Sequence, residues 1–135
     1  MKKITICGSM KFFDEMEVLK SSLEEKGYEV FAPIKEGTGV DYSQLTIKEQ
    51  SNVKQRYIDH HLQKIKDSDA IIVANYDKNK IKNYIGANSF IEMAFAYAFK
   101  KDIYILNGIP DQPNTIEIRG MKPIVLDGVI DNLYQ

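Results

Sequence analysis

One carboxylate, Glu92, lies inside the most apolar helix-like stretch of the chain, GANSFIEMAFAYAF at residues 86–99. A helix that is apolar on every side is buried, and a buried carboxylate is costly unless it is hydrogen-bonded. Near the start of such a helix, a carboxylate can act as a nucleophile or as a general base. The alternative is structural, because Ser89 and Glu92 have the S-x-x-E spacing of a capping box, and Asn88 is a second possible cap. The residues alone weigh capping and catalysis evenly.

Two adjacent histidines, His60 and His61, precede the third apolar run of the sequence. At about 100° per residue, His61 shares a helix face with Ile58, Leu62 and Ile65, so we expect it to face the core while His60 faces solvent. Histidines as a class change charge near neutral pH, which makes His61 a candidate proton donor. A buried structural histidine is the alternative. No histidine or glutamate stands three or four residues from His61, so we expect no metal site.

The short sequence CGSMK, residues 7–11, follows the first apolar run. Gly8 allows a turn, while the Ser9 hydroxyl and the Lys11 charge could bind an anion such as a monophosphate at the start of the next helix. The plainer alternative is a turn in which Ser9 caps that helix. The pattern is neither G-x-G-x-x-G nor a Walker loop, so we do not expect dinucleotide or triphosphate binding. Cys7 is the one cysteine, which excludes an internal disulfide, and its apolar neighbours predict a buried thiol.

The chain has 135 residues and a net charge of -1, which fits one domain over residues 1–135. This balanced charge gives no electrostatic case for binding a nucleic-acid polymer or a membrane surface. No apolar run approaches the roughly 20 residues needed to cross a bilayer, and the N-terminal apolar stretch is too short for a signal peptide. We therefore expect a cytoplasmic protein, and we expect no cofactor.

Apolar runs alternate with amphipathic segments along the chain. Five of the runs are predicted strands, at residues 3–7, 28–32, 70–74, 102–106 and 123–126. This alternation predicts a five-stranded parallel sheet with helices on both faces, an α/β flavodoxin-like doubly wound sandwich. In such sheets ligands bind beyond the carboxyl ends of the strands. The polar segment 34–46 is long for a connection between packed elements, so we expect it to form a lid over the site.

Three features together resemble the nucleoside 2-deoxyribosyltransferase superfamily. They are the CGS turn, the polar loop after the third strand and the helix pattern G-x-x-S-F-x-E-M-A-F-A. Within that superfamily the chain is most similar to the small 2′-deoxynucleoside 5′-phosphate N-hydrolases, and the resemblance runs nearly end to end. It implies a flavodoxin-like fold and a homodimer whose sites are completed across the interface.

The resemblance also implies roles for single residues. Glu92 corresponds to the carboxylate that attacks the anomeric carbon, and Ser9 and Lys11 correspond to the residues that bind the 5′-phosphate, with Lys in place of the usual Arg. Thr115 precedes Ile-Arg-Gly at 118–120 and corresponds to a hydroxyl that the neighbouring subunit supplies. Further implied substrate contacts are Cys7, Gly8, Asp59, Gly86, Asn88 and Ser89.

Two positions depart from the family pattern. Thr5 stands where the family usually has a Tyr near the nucleophile. His61 stands where the family usually has an Asp associated with the sugar or base, with Asp59 two residues earlier. A protonated His61 could still deliver a proton to a departing base.

These features predict an enzyme that cleaves the N-glycosidic bond of a nucleoside 5′-monophosphate or a nucleoside. Bond cleavage develops positive charge on the sugar and negative charge on the base, so a carboxylate on the far face of the sugar and a proton donor both assist. Glu92 would be the nucleophile and His61 the candidate acid. Whether water or a second base takes the sugar stays open, as do the identities of base and sugar. The alternative function is a catalytically inactive nucleotide-binding sensor of the same fold.

Overall fold

The computed structural model describes residues 2–34 and 40–134. Five parallel strands form one sheet in the order β2-β1-β3-β4-β5. The strands are β1 (Lys3–Cys7), β2 (Glu29–Phe31), β3 (Ala70–Val73), β4 (Asp102–Ile105) and β5 (Ile124–Val125). This is the flavodoxin-like order, in which the direction of winding changes between β1 and β3. The predicted fold class is confirmed.

Helices cover both faces of the sheet. The α-helices are α1 (Phe13–Glu25), α2 (Ile47–Lys66), α3 (Ala87–Ala98) and α4 (Thr115–Gly120), and short 3-10 segments occupy Met10–Phe12, Tyr42–Gln44 and Ile130–Asn132. One face packs against α1 through side chains that include Ile4, Ile6, Met16, Leu19, Leu23 and Ile72. The other face packs against α2, α3 and α4 through side chains that include Ile65, Ile71, Val73, Met93, Ala96 and Ile118. Each fully buried aliphatic side chain contributes about 1.5–3 kcal/mol to folding.

Local sequence signals determine the end of α1 and the start of α2. The α1 helix stops at Gly27, whose φ of 95° suits glycine, while the Tyr28 N–H donates to the Leu23 carbonyl at 3.2 Å. The α2 helix starts with a capping box, in which the Thr46 hydroxyl accepts the Glu49 N–H and the Glu49 carboxylate accepts the Thr46 N–H. This capping box sets the start of α2 at Ile47.

The predicted strand positions hold, although four of the five strands are shorter than expected by one residue at one or both ends. The predicted lid, 34–46, is described in part. Residues 35–39 of it lie outside the described residues, and a 3-10 turn at Tyr42–Gln44 is capped by the Asp41 side chain. Its role as a lid stays a prediction. Within the described ranges, no helix combines the length and the hydropathy needed to cross a membrane.

Candidate active site

A buried hydrogen bond joins α2 to α3 on one face of the sheet. The Glu92 Oε2 atom lies 2.8 Å from the Nδ1 atom of His61. Glu92 is 3% exposed and His61 is 7% exposed. The predicted inward orientation of His61 is confirmed, and His60 is exposed as expected. The two residues that the sequence singled out separately therefore form one pair.

Glu92 is not a helix cap, so the capping-box interpretation is wrong. The N-cap of α3 is Gly86, with a backbone in the extended region and no side-chain cap bond, which places Ser89 in the first turn and Glu92 in the second. Asn88 is not the cap either. The start of α3 at Gly86 is held by a residue distant in sequence. The Gln112 side chain accepts the Ile85 N–H and donates to the Ile85 carbonyl, which fixes the residue before Gly86.

Two further side chains of α2, those of Tyr57 and Lys64, lie near the pair. The Tyr57 ring stacks on His61, with centroids 4.2 Å apart and planes 29° from parallel. Burial raises the pKa of Tyr57, and the nearby Glu92 carboxylate raises it further. Burial lowers the pKa of Lys64, while Glu92 opposes that shift. The Glu92 carboxylate thus lies within electrostatic reach of a phenol and a half-buried ammonium.

Cys7 and Thr5 lie on β1 close to these groups. Burial raises the pKa of the Cys7 thiol well above its ordinary value, and the negative charge of Glu92 adds to the shift. The thiol is therefore protonated at neutral pH, in line with the predicted buried thiol. The Thr5 hydroxyl lies 2.7 Å from the Ser68 hydroxyl. It is thus committed to Ser68 in the α2–β3 connection.

In the turn after β1, the Gly8 backbone and the Ser9 side chain lie close to the loop after β3. A Cβ added at Gly8 would lie 2.8 Å from Met16 Sδ and 3.2 Å from the Ala74 carbonyl oxygen, so this position requires glycine. The Ser9 hydroxyl oxygen accepts the Lys11 N–H at 3.3 Å and caps the 3-10 segment. It also accepts a hydrogen bond of 2.9 Å from the Lys78 Nζ atom. The charged side chain at Ser9 is therefore that of Lys78.

Lys11 lies elsewhere. Its side chain is exposed, and its Nζ atom is 5.6 Å from the centre of the Phe12 ring. It lines an outer groove together with Lys78, Lys80 and Lys82, but it does not line the β1–β3 cavity described below. Sequence reasoning pointed to the loop after β3 but missed Lys78, because nothing in a polar loop distinguishes one lysine from its neighbours. Tyr57 was also missed, although its i, i+4 spacing to His61 places both on one helix face.

Two neighbouring cavities open beyond the carboxyl ends of the strands. The first, of about 350 Å³, we call the β1–β3 cavity. It is lined by residues of the first turn, the loop after β3 and the start of α3: Gly8, Ser9, Met10, Phe12, Tyr57, Val73, Ala74, Tyr76, Lys78, Asn79, Tyr84, Gly86, Ala87, Asn88 and Ser89. It includes five of the predicted substrate contacts and lies where the sheet changes winding direction, as predicted.

The second, the α2 cavity, has a volume of about 310 Å³. It lies between α2 and the lid segment, and its lining includes Tyr42, Lys54, His61 and Lys64. Met10, Tyr57 and Asn88 line both cavities. Glu92 lines neither, but its partner His61 lines the α2 cavity, and Ser89, one turn earlier on α3, lines the β1–β3 cavity.

Four predicted contacts lie outside both cavities: Cys7, Lys11, Asp59 and Thr115. Asp59 is exposed on α2. Thr115 is the first residue of α4, and its hydroxyl bonds within its own loop, to the carbonyls of Pro110 and Gln112 and to the Gln112 N–H. Within residues 2–34 and 40–134, no group of three or more His, Cys, Asp or Glu side chains is arranged to hold a metal.

A buried amide network holds the loops at this edge of the sheet. Asn75 is 1% exposed, and its amide nitrogen donates to the carbonyls of Asn83 and Gly108. Its side-chain oxygen accepts the Asn107 N–H, and the Asn107 side chain donates to the Asn75 carbonyl. This network ties the loop after β3 to the loop after β4, which keeps the hairpin with Lys78 in a fixed position.

The sequence matches no protein-family model, and no curated protein matches it. Among solved structures, it is similar to the CMP N-glycosidase BcmB of Clostridium botulinum, with a TM-score of 0.52, 20% identity, and coverage of 92% of this chain and 85% of that one. It is also similar to the 2-deoxyribosyltransferase of the psychrotolerant bacterium Bacillus psychrosaccharolyticus, with a TM-score of 0.50, 15% identity, and coverage of 76% and 70%. At these identities the comparisons establish the fold alone: the chain has the flavodoxin-like α/β fold of these two structures.

Proposed function

We propose that the chain is an enzyme of the nucleoside 2-deoxyribosyltransferase superfamily, which cleaves the N-glycosidic bond of a nucleoside 5′-monophosphate or a nucleoside with Glu92 as nucleophile. The observation that carries this proposal is the buried Glu92–His61 pair beside two cavities at the switch point of the sheet. The two structural neighbours support it, because one is a CMP N-glycosidase and the other a 2-deoxyribosyltransferase.

The chemistry proceeds in two displacements at the anomeric carbon. A Glu92 oxygen forms a bond to C1′ while the C1′–N bond breaks, and the electron pair of that bond leaves with the base nitrogen, which takes a proton. Water then attacks C1′, the bond between C1′ and the Glu92 oxygen breaks to regenerate the carboxylate and release the sugar, and the proton that the water loses restores the donor that protonated the base. A second base in place of water would give transfer. Two displacements retain the configuration at C1′.

His61 orients the nucleophile in this scheme. Its Nδ1 atom is committed to Glu92 Oε2, so the proton for the departing base would come from Nε2 or from water. Because only 3% of Glu92 is exposed, substrate reaches it after a side chain of the cavity wall moves. Tyr57 lines both cavities and stacks on His61, so in this scheme it is the side chain that moves.

The proposal includes a homodimer in which Thr115 contributes to the neighbouring site. Thr115 lines neither cavity of its own chain, and the next residue, Ile116, is an apolar side chain that is 82% exposed on α4. A single exposed isoleucine is common on monomers, so this part of the proposal rests on the resemblance and on the position of Thr115. Light scattering after size exclusion tests this part, since a monomer at assay concentration would remove it.

The test of the function is release of free base. The protein is incubated with the common ribo- and deoxyribonucleoside 5′-monophosphates and their nucleosides, and the base is quantified by chromatography. At least one substrate should be cleaved, and Glu92→Gln should slow release by about 10³-fold or more, because the amide is a poor nucleophile. Glu24→Gln, at an exposed position on α1, is the matched control and should leave the rate unchanged. Saturable binding without cleavage would favour the sensor instead.

A further inference from the structure

We infer that Lys78 supplies the positive charge that binds the 5′-phosphate of the substrate, and that it thereby makes the site selective for nucleotides over nucleosides. This inference rests on the proposed function, since it names the substrate class of the same site. It replaces Lys11, which the sequence favours, with a residue from a different loop.

The hydrogen bonds at Ser9 leave some donor hydrogens of Ser9 and Lys78 without an acceptor in this cluster. The Ser9 hydroxyl oxygen accepts one hydrogen bond from the Lys78 ammonium at 2.9 Å and one from the Lys11 N–H at 3.3 Å. With both lone pairs used, the hydroxyl hydrogen is available to a third group, which must be an acceptor. The Lys78 ammonium keeps two further N–H donors. Three donor hydrogens thus meet in one cavity, as an anion with several oxygens requires.

The charge of the β1–β3 cavity is positive and uncompensated. Lys78 is the one Lys, Arg, Asp or Glu among the described residues that line it. The ion pairs among the described residues do not include Lys78. Its neighbour Asp77 instead accepts the Asn83 N–H at 2.9 Å. A bound phosphate would therefore supply the missing negative charge in a partly enclosed site, where such a pair is stronger than in water.

The backbone at Lys78 is fixed. Lys78 and Ile81 exchange two backbone hydrogen bonds of 3.1 and 2.9 Å around a two-residue turn. Both turn residues, Asn79 and Lys80, have positive φ angles of 53° and 61°, as a tight type I′ hairpin requires. Lys78 is thus held at the base of a hairpin, with its side chain reaching Ser9 of the first turn.

Lys11 and Lys82 provide the comparison. Both are exposed and line the outer groove but not the β1–β3 cavity, whereas Lys78 lines both. A general attraction between a basic surface and a nucleotide would involve all three lysines to a similar extent. Specific phosphate binding by Lys78 would not.

The experiment measures binding by calorimetry in a Glu92→Gln background, where turnover does not interfere. The ligands are the nucleoside 5′-monophosphate that the parent chain binds most tightly and its nucleoside. Lys78→Ala should weaken nucleotide binding by about 10- to 100-fold, the loss of a charge-assisted hydrogen bond, and leave nucleoside binding unchanged. Lys82→Ala should change nucleotide binding by less than about 3-fold, and Lys11→Ala should cost less than Lys78→Ala.

Three outcomes would overturn the inference: no saturable nucleotide binding by the parent chain, equal losses for nucleotide and nucleoside in Lys78→Ala, or a larger loss in Lys11→Ala. The proposed function is judged separately by base release from the wild-type chain. A chain that releases base but binds nucleotide equally well without Lys78 would therefore keep the function and lose this inference.

Discussion

His61 and Glu92 connect α2 and α3 through a buried hydrogen bond of 2.8 Å between Nδ1 and Oε2. The bond spans 31 residues of sequence, so it forms only when both helices pack on the same face of the sheet. It joins the two polar side chains that the sequence places in apolar surroundings into one buried pair.

Removing one partner of this pair should destabilise the fold. His61→Ala leaves a buried carboxylate without its hydrogen bond, which should lower the free energy of unfolding by about 3 kcal/mol. His61→Asn keeps an N–H near the position of Nδ1 and should cost less. Urea denaturation followed by circular dichroism measures both. His60→Ala, at the exposed neighbouring position, should stay within about 0.5 kcal/mol of wild type, and equal costs at positions 60 and 61 would contradict a structural pair.

The close approach at Gly8 predicts a steric effect. Gly8→Ala places a methyl group 2.8 Å from Met16 Sδ and 3.2 Å from the Ala74 carbonyl oxygen. Since one neighbour is backbone, the clash should cost about 1–3 kcal/mol. Gly120→Ala is the matched control, because no atom lies within 4 Å of the added methyl and φ is not positive. That change should be neutral or stabilise by up to about 1 kcal/mol. Thermal unfolding of both variants decides, and a neutral Gly8→Ala would contradict the geometry.

The raised pKa of Cys7 predicts how stability depends on pH. The folded chain holds the thiol proton above the ordinary pKa of 9.0, mainly through burial and secondarily through the Glu92 charge. The unfolded chain loses that proton near pH 9. The stabilisation is therefore fully present below pH 9 and falls by about 1.4 kcal/mol per pH unit above it, until the folded thiol ionises.

Other groups titrate in the same range, so the informative quantity is the difference between wild type and Cys7→Ala. Unfolding free energies at pH 8, 9 and 10 should show that difference constant up to pH 9 and then shifting in favour of the variant. A difference that stays constant to pH 10 would show that the thiol ionises equally well in the folded chain.

The alternation of apolar and amphipathic segments was sufficient to predict the fold. The three central strands, β1, β3 and β4, are buried on both faces, so runs such as 70–74 stand out without any tertiary information. The start of α2 depends on local chemistry, because the Thr46-x-x-Glu49 spacing of its capping box is visible in the sequence. The start of α3 did not, because Gly86, Asn88 and Ser89 are all acceptable caps, and the choice among them depends on Gln112.

The candidate site was predictable in part, where local sequence patterns carry the information. Helical periodicity identified the inward face of His61, and an apolar helix made Glu92 conspicuous. Periodicity says nothing of which buried polar groups meet, so their pairing needed the packed structure. The sequence also could not show that Lys78, rather than Lys11, places its ammonium at Ser9. Sequence proximity favoured Lys11, whereas the parallel pairing of β1 with β3 brings the loop after β3 across to the first turn.

The stereochemistry of the cleaved sugar tests the central claim most directly. With methanol as the acceptor, the product is a methyl glycoside that does not interconvert between anomers, and proton NMR assigns its configuration at C1′. Attack by Glu92 followed by methanol predicts the same configuration as the substrate nucleotide, with no product from Glu92→Gln. An inverted product, or a retained product formed equally well by Glu92→Gln, would contradict a nucleophilic role for this carboxylate.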